Sequence, residues 1–259
     1  MSQPINPGVA GAAALFMALS AGAAGAAPPQ STATGIEAQF LYKDIATQLG
    51  PIARVAGPPS GKYDVSAAVA SVDRRLAIAP KNPTPTFFVN GAGLKSHVSG
   101  SGIAIDSRSS EGDNELATGN LSLNIYPLPP LEIATPYPPL LIEVQEALSS
   151  ANFSVVYGLG AFANGAASFG SLRISGPLVG GQVLTWSGKI APNTVAFHSP
   201  ALTIVLNRQV RSGDVSCTPA CTFALKSVEV TAIDVALINA DIYGTKVSGH
   251  IQVNDATAR

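Results

Sequence analysis

This chain is poor in charge. Only 12% of its 259 residues are Asp, Glu, Lys or Arg, and the formal net charge is −1. Binding nucleic acid or an anionic membrane through phosphates needs a clustered basic face. The one adjacent basic pair in the middle of the chain, Arg74-Arg75, follows Asp73 and reads as a turn. Nucleic-acid partners are therefore excluded from the reading. Aromatic residues are sparser still at 6%, with Trp186 the sole tryptophan. After residue 30 every apolar stretch is cut by Pro, Gly or charge, so no segment there predicts a membrane-spanning helix.

The residues that carry chemistry are also scarce. The three histidines, His97, His198 and His250, form no H-x-H or H-x-x-x-H pair and read as strand-end or surface groups. The serine motif around Ser168 lacks the G-x-S-x-G spacing of a nucleophile elbow. Asp106, Glu111, Asp113 and Glu115 fall in a polar stretch where solvated acids are expected, and Asp234 and Asp241 bracket a hairpin-like segment. Neither set announces the close pair of carboxylates a glycosidase requires. Residues 110–115, SEGDNE, offer oxygen ligands but not the register of a calcium loop. Gly158 and Gly160 lack the rest of a dinucleotide fingerprint. The expectation is no enzyme, no cofactor and no metal.

What the chain does have is β-strand grammar. Short alternating runs rich in Val, Ile, Leu and Thr are punctuated by 25 Gly and 20 Pro. That composition predicts an all-β fold, an antiparallel sandwich-like domain with one face of each sheet buried. One short helix is expected at residues 142–149, IEVQEALS, where Ile142, Val144 and Leu148 approach helical spacing. Residues 108–114, RSSEGDN, read as an exposed loop. Residues 127–139 hold six prolines and read as an extended crossing, the best candidate for an internal boundary.

Compartment is read from both ends of the argument. Residues 10–27 form an uncharged apolar run with small residues before Pro28, the shape of a secretory signal peptide cleaved near residue 27. Its n-region carries no Lys or Arg. The expected product is an exported β domain spanning 28–259. Cys217 and Cys221 enclose Thr-Pro-Ala between two strand-like segments, and in an oxidising compartment they predict a local disulfide.

The segment from Ser171 onward resembles the C-terminal half of the choice-of-anchor P family of bacterial exported proteins. The resemblance rests on SLRISG, on Ala191-Pro192-Asn193-Thr194, on TIVLNRQ with Asn207 and Gln209, and on VEVTAIDVAL and VSGHIQV near the end. It covers 80 to 90 residues, with the Pro-rich middle poorly matched. It implies a signal peptide, varied solutions to surface attachment, no established activity and no catalytic residues. Asn193, Asn207 and Gln209 are expected to satisfy backbone groups at turns and strand ends.

Together these readings point to a non-enzymatic secreted or cell-surface protein, structural or adhesive, able to self-associate through sheet edges as a homo-oligomer or cell-envelope component. The location is extracellular, surface or periplasmic. The alternative is a glycan- or small-ligand-binding module using Trp186, Tyr126 and Tyr137.

Overall fold

A computed structural model describes residues 30–104, 107–126, 138–156, 160–213, 215–218, 220–223 and 227–259, apart from the side chains of 102–108, 156–160 and 214–226. The expected signal peptide, Asp106 and Tyr137 lie outside these residues. So do residues 127–137 of the Pro-rich segment. The side chains of Cys217 and Cys221 are likewise outside them.

Two antiparallel sheets pack face to face, the sandwich that the alternating pattern predicts. The first contains β1 (Ser31–Tyr42), β2 (Ile45–Ile52), β3 (Val55–Ala56), β10 (Thr194–His198), β11 (Leu202–Ser212), β14 (Ser227–Ile242) and β15 (Thr245–Ala258). Its order is β10-β11-β14-β15-β1-β2, with β3 also paired to β1. The second contains β4 (Tyr63–Ala77), β5 (Thr84–Ala104), β6 (Ser107–Tyr126), β7 (Leu140–Val156), β8 (Gly160–Ser175) and β9 (Val183–Lys189), in simple meander order. A separate hairpin joins β12 (Val215–Thr218) to β13 (Ala220–Phe223). The strands on either side of the Pro-rich segment, β6 and β7, are neighbours in one sheet.

The longer strands each reverse their inward phase once. In the second sheet the inward residues of β6 run Ser110, Gly112, Asn114 and Leu116, then shift to Gly119, Leu121, Leu123 and Ile125. The same shift falls at Ser71, Ala92, Thr118, Gln145 and Ser171, which lie in one row across five strands. At each, two consecutive residues turn outward or half-outward. In the first sheet the reversal has the opposite sense, with two consecutive residues inward: Leu206-Asn207, Ala232-Ile233, Val253-Asn254 and Gly35-Ile36. These too form one row.

The backbone of alternate strands carries the reversal. Left-handed residues sit at Asn207 (φ 49°), Asn254 (φ 52°) and Ala53 (φ 53°) in one sheet. Gly93 (φ 67°), Glu146 (φ 53°) and Gly188 (φ 75°) do the same in the other. Gly and Asn are the residues that adopt this conformation at least cost. The inward doublets of one sheet form a ridge that meets the hollow left by the outward doublets of the other. Asn254, fully buried, donates Nδ2–H to the Ala147 carbonyl at 2.8 Å across that junction.

The row divides the core. On one side large side chains fill the interlayer, including Phe40 and Phe87 with ring centroids 5.3 Å apart. On the other, the small residues Ser96, Ser110, Asn114, Ser149, Ala151 and Ala256 are interspersed with Val98, Phe153, Val228 and Val230. The sheets there approach so closely that a Cβ on Gly112 would stand 2.8 Å from the Thr32 carbonyl oxygen.

Two expectations are corrected. Residues 142–149 lie inside β7, not in a helix; the one helical element among the described residues is the 3-10 turn Pro177–Val179. Val144 and Ala147 both face inward because the phase reverses between them, which imitates helical spacing. Residues 108–114 are strand, not exposed loop. Ser110, Gly112 and Asn114 fill inward positions, while Glu111 and Asp113 alternate outward.

Candidate functional site

The feature with most scope for function is the outer edge of β4. Among the described residues this 15-residue strand ends its sheet and has β5 as its only ladder partner. Its residues 65–72, VSAAVASV, contain no charge, Pro or Gly. An unpaired edge is a template for another strand unless Lys, Pro, a bulge or an inward charge blocks it. Here Asp64, Asp73 and Arg75 turn outward and flank the uncharged window, and Arg74, on the inward phase beside the cleft, lies just past its end. The sheet ends at β9 and β10 are shorter, at 7 and 5 residues. The fourth, β2, carries Gly50-Pro51.

A cleft of about 440 Å³ opens beside the middle of β4, where the edges of the two sheets diverge. Leu49, Ile52 and Ala53 line it from β2 and the residue after it, and Val69, Val72 and Arg74 from β4. It lies where the row of phase reversals leaves the sandwich, since Ala53 is the last left-handed residue of that row and Val69 and Val72 flank the reversal in β4.

A second feature lies on the outer face of the other sheet. Arg208 reaches Glu229 at 2.9 Å and Asp234 at 3.2 Å, and His250 donates to Asp234. Asp255 accepts from Thr231 Oγ1 at 2.8 Å. Burial, reinforced by the charge of Glu229, pushes the Asp255 carboxyl up to about 7, against the opposing Thr231 bond and Arg208. The cluster joins Asp234 and His250, which the sequence placed separately, to Arg208, Glu229 and Asp255, which sequence reasoning missed. Only the register of β11, β14 and β15 reveals it, setting Arg208 opposite Thr231 and Thr231 opposite Asp255. The ion pairs tie down three neighbouring strands.

The remaining candidates are dispersed. Trp186 lies on β9, partly buried and packed against the core. Tyr126 is exposed at the end of β6, with the Arg75 guanidinium 5.0 Å from its ring centroid. The two do not share a face. His97 sits between Asp64 at 2.9 Å and Asp113 at 3.8 Å on the outer face of β5. Burial and the charge of Glu111 raise the Asp113 carboxyl, and His97 lowers it. His198 pairs with Thr203 Oγ1 at 3.0 Å. Asp241 binds the Gly244 amide and Lys246 in a hairpin turn, which holds its carboxyl below the ordinary range. Asn193, Asn207 and Gln209 satisfy backbone groups: Asn193 Oδ1 takes the Gln209 amide, Asn207 donates to the Ile190 carbonyl and Gln209 to that of Gly165. Cys217 and Cys221 are directly opposed across the β12–β13 hairpin.

Among the described residues no three of His, Cys, Asp and Glu are grouped to hold a metal ion, and no helix is long and apolar enough to cross a membrane. Comparison with known protein families, curated proteins and solved structures finds no match to this chain.

Proposed function

We propose that this chain is an exported, non-enzymatic structural or adhesive protein of the cell surface that associates through the free edge of β4. The observation that carries this reading is a 15-residue edge strand whose central window has no charge, proline or glycine. Main-chain pairing along such an edge supplies affinity, and the side chains bordering it supply selectivity. The apolar leader read at residues 10–27 supports export. The opposed Cys217 and Cys221 agree with an oxidising destination, where they close a disulfide across their hairpin. The ligand-binding alternative draws less support, because Trp186 packs inward and Tyr126 is stacked by Arg75 on the other face.

Light scattering coupled to size-exclusion chromatography across a concentration series tests this. The full chain, with any leader processing left to the expression host, should show a concentration-dependent complex. Val69→Lys turns a charge inward at the middle of the edge, a natural device against strand addition. It should give a monomer with an unchanged far-UV spectrum. A wild-type monomer at every concentration sinks the proposal.

A further inference from the structure

The register of the four pairs from β4–β5 to β7–β8 in the second sheet obeys one rule: the phase reversal of each strand lies opposite that of its neighbour. Ser71 faces Ala92, Ala92 faces Thr118, Thr118 faces Gln145, and Gln145 faces Ser171. The rule has a physical cause. Inward and outward residues stay matched across a ladder only when the reversals coincide; a misplaced reversal sets core side chains against solvent-facing ones over half the strand.

In β4 the reversal falls between Ala70 and Ser71, with Val69 and Val72 inward on either side. That point is the middle of a strand running Tyr63–Ala77. A strand whose reversal is central can satisfy the rule by pairing antiparallel with its own copy. Resting on the edge-association reading above, we propose that the occupant of this edge is β4 of a second copy of the chain. The pairing is two-fold symmetric about the Ala70–Ser71 peptide, so that Ala70 of one copy faces Ser71 of the other.

This register sets Ala68 opposite Asp73 and Ser66 opposite Arg75 of the second copy on the outer face. Val69 meets Val72, and Val65 meets Leu76, on the inner face. Asp64 becomes the diagonal neighbour of Arg75, an opposite-charge contact made twice by symmetry. No like charges stand directly opposite each other. The two clefts beside Val69 and Val72 come together at the axis, and Ala67 of each copy faces Arg74 of the other on the inner face. An isologous contact of this kind closes on itself. The complex is therefore a dimer whose two sheets join into one, and the contact does not propagate into filaments.

Cysteine pairing between two differently marked chains reads the register directly. In a background with Cys217 and Cys221 changed to serine, one chain carries Ala68→Cys and the other Asp73→Cys. Directly opposed residues lie about 4.5–5.5 Å apart at Cα, within reach of a disulfide or a short thiosulfonate bridge. Each chain alone should give no covalent dimer, and their mixture should give one. Ala68→Cys mixed with Ala77→Cys, which reports a register four residues away, should give none. A band from that second mixture, or none from either while the chain still dimerises, overturns the register and leaves edge association standing. A chain that stays monomeric removes both proposals. Species larger than a dimer that Val69→Lys abolishes contradict the two-fold closure alone.

Discussion

Asn254 and Ala147, 107 residues apart, meet at 2.8 Å where the ridge of one sheet enters the hollow of the other. The amide does two jobs there. Its side chain binds a carbonyl of the opposite sheet, and its backbone holds the left-handed conformation that reverses the phase of β15.

Two substitutions separate them. Asn254→Gly keeps the conformation and loses the bond, leaving the Ala147 carbonyl without its side-chain donor, which costs about 1–3 kcal/mol. Asn254→Ala loses the bond and adds about 1–2 kcal/mol of left-handed strain. Urea unfolding should therefore rank wild type above glycine and glycine above alanine. Alanine equal to or better than glycine would show that the backbone there is not held left-handed.

Much of the architecture is legible in the chain. Alternating β-branched runs predict two antiparallel sheets because burial on one face requires a period of two. What misleads is the phase reversal. In IEVQEALSS the inward residues are Ile142, Val144, Ala147 and Ser149, and the step of three between Val144 and Ala147 belongs to a helix as much as to an interrupted strand. The polar run 108–114 misleads for a related reason, since inward positions filled by Ser110, Gly112 and Asn114 look like a loop in sequence. The free edge was beyond reach altogether. That β4 is exposed along one side follows from strand order, and nothing in its residues states which strand lies beside it.

The cluster around Asp255 gives a pH dependence with a definite sign. Burial raises its carboxyl from the ordinary 3.8 to about 7, so the folded state holds this proton more tightly than the unfolded chain. The stabilising effect is full below the unfolded value and is lost as pH rises through about 7. Asp255→Asn keeps an acceptor for Thr231 and removes the charge. Thermal unfolding should show the variant more stable than wild type at about pH 8 and close to it at about pH 4. An equal effect at both pH values would mean that the carboxylate is not the titrating group.

Cys217 and Cys221 face each other across a hairpin, so an oxidising destination should join them. The ring is small, and its closure contributes on the order of 2 kcal/mol at most. If the chain is exported, alkylation of the mature protein under denaturing conditions should label neither thiol before reduction and both after it. Full labelling without reduction would argue against export or against the pairing.

The central claim is that β4 is an edge built to be covered. Hydrogen exchange measured at rising protein concentration tests it most directly. Amides of residues 65–72 should gain protection as concentration rises, in the wild type and not in Val69→Lys, while those of β9 and β10 stay unchanged. Exchange along β4 that is independent of concentration, or protection appearing at β9 and β10 instead, would contradict the account.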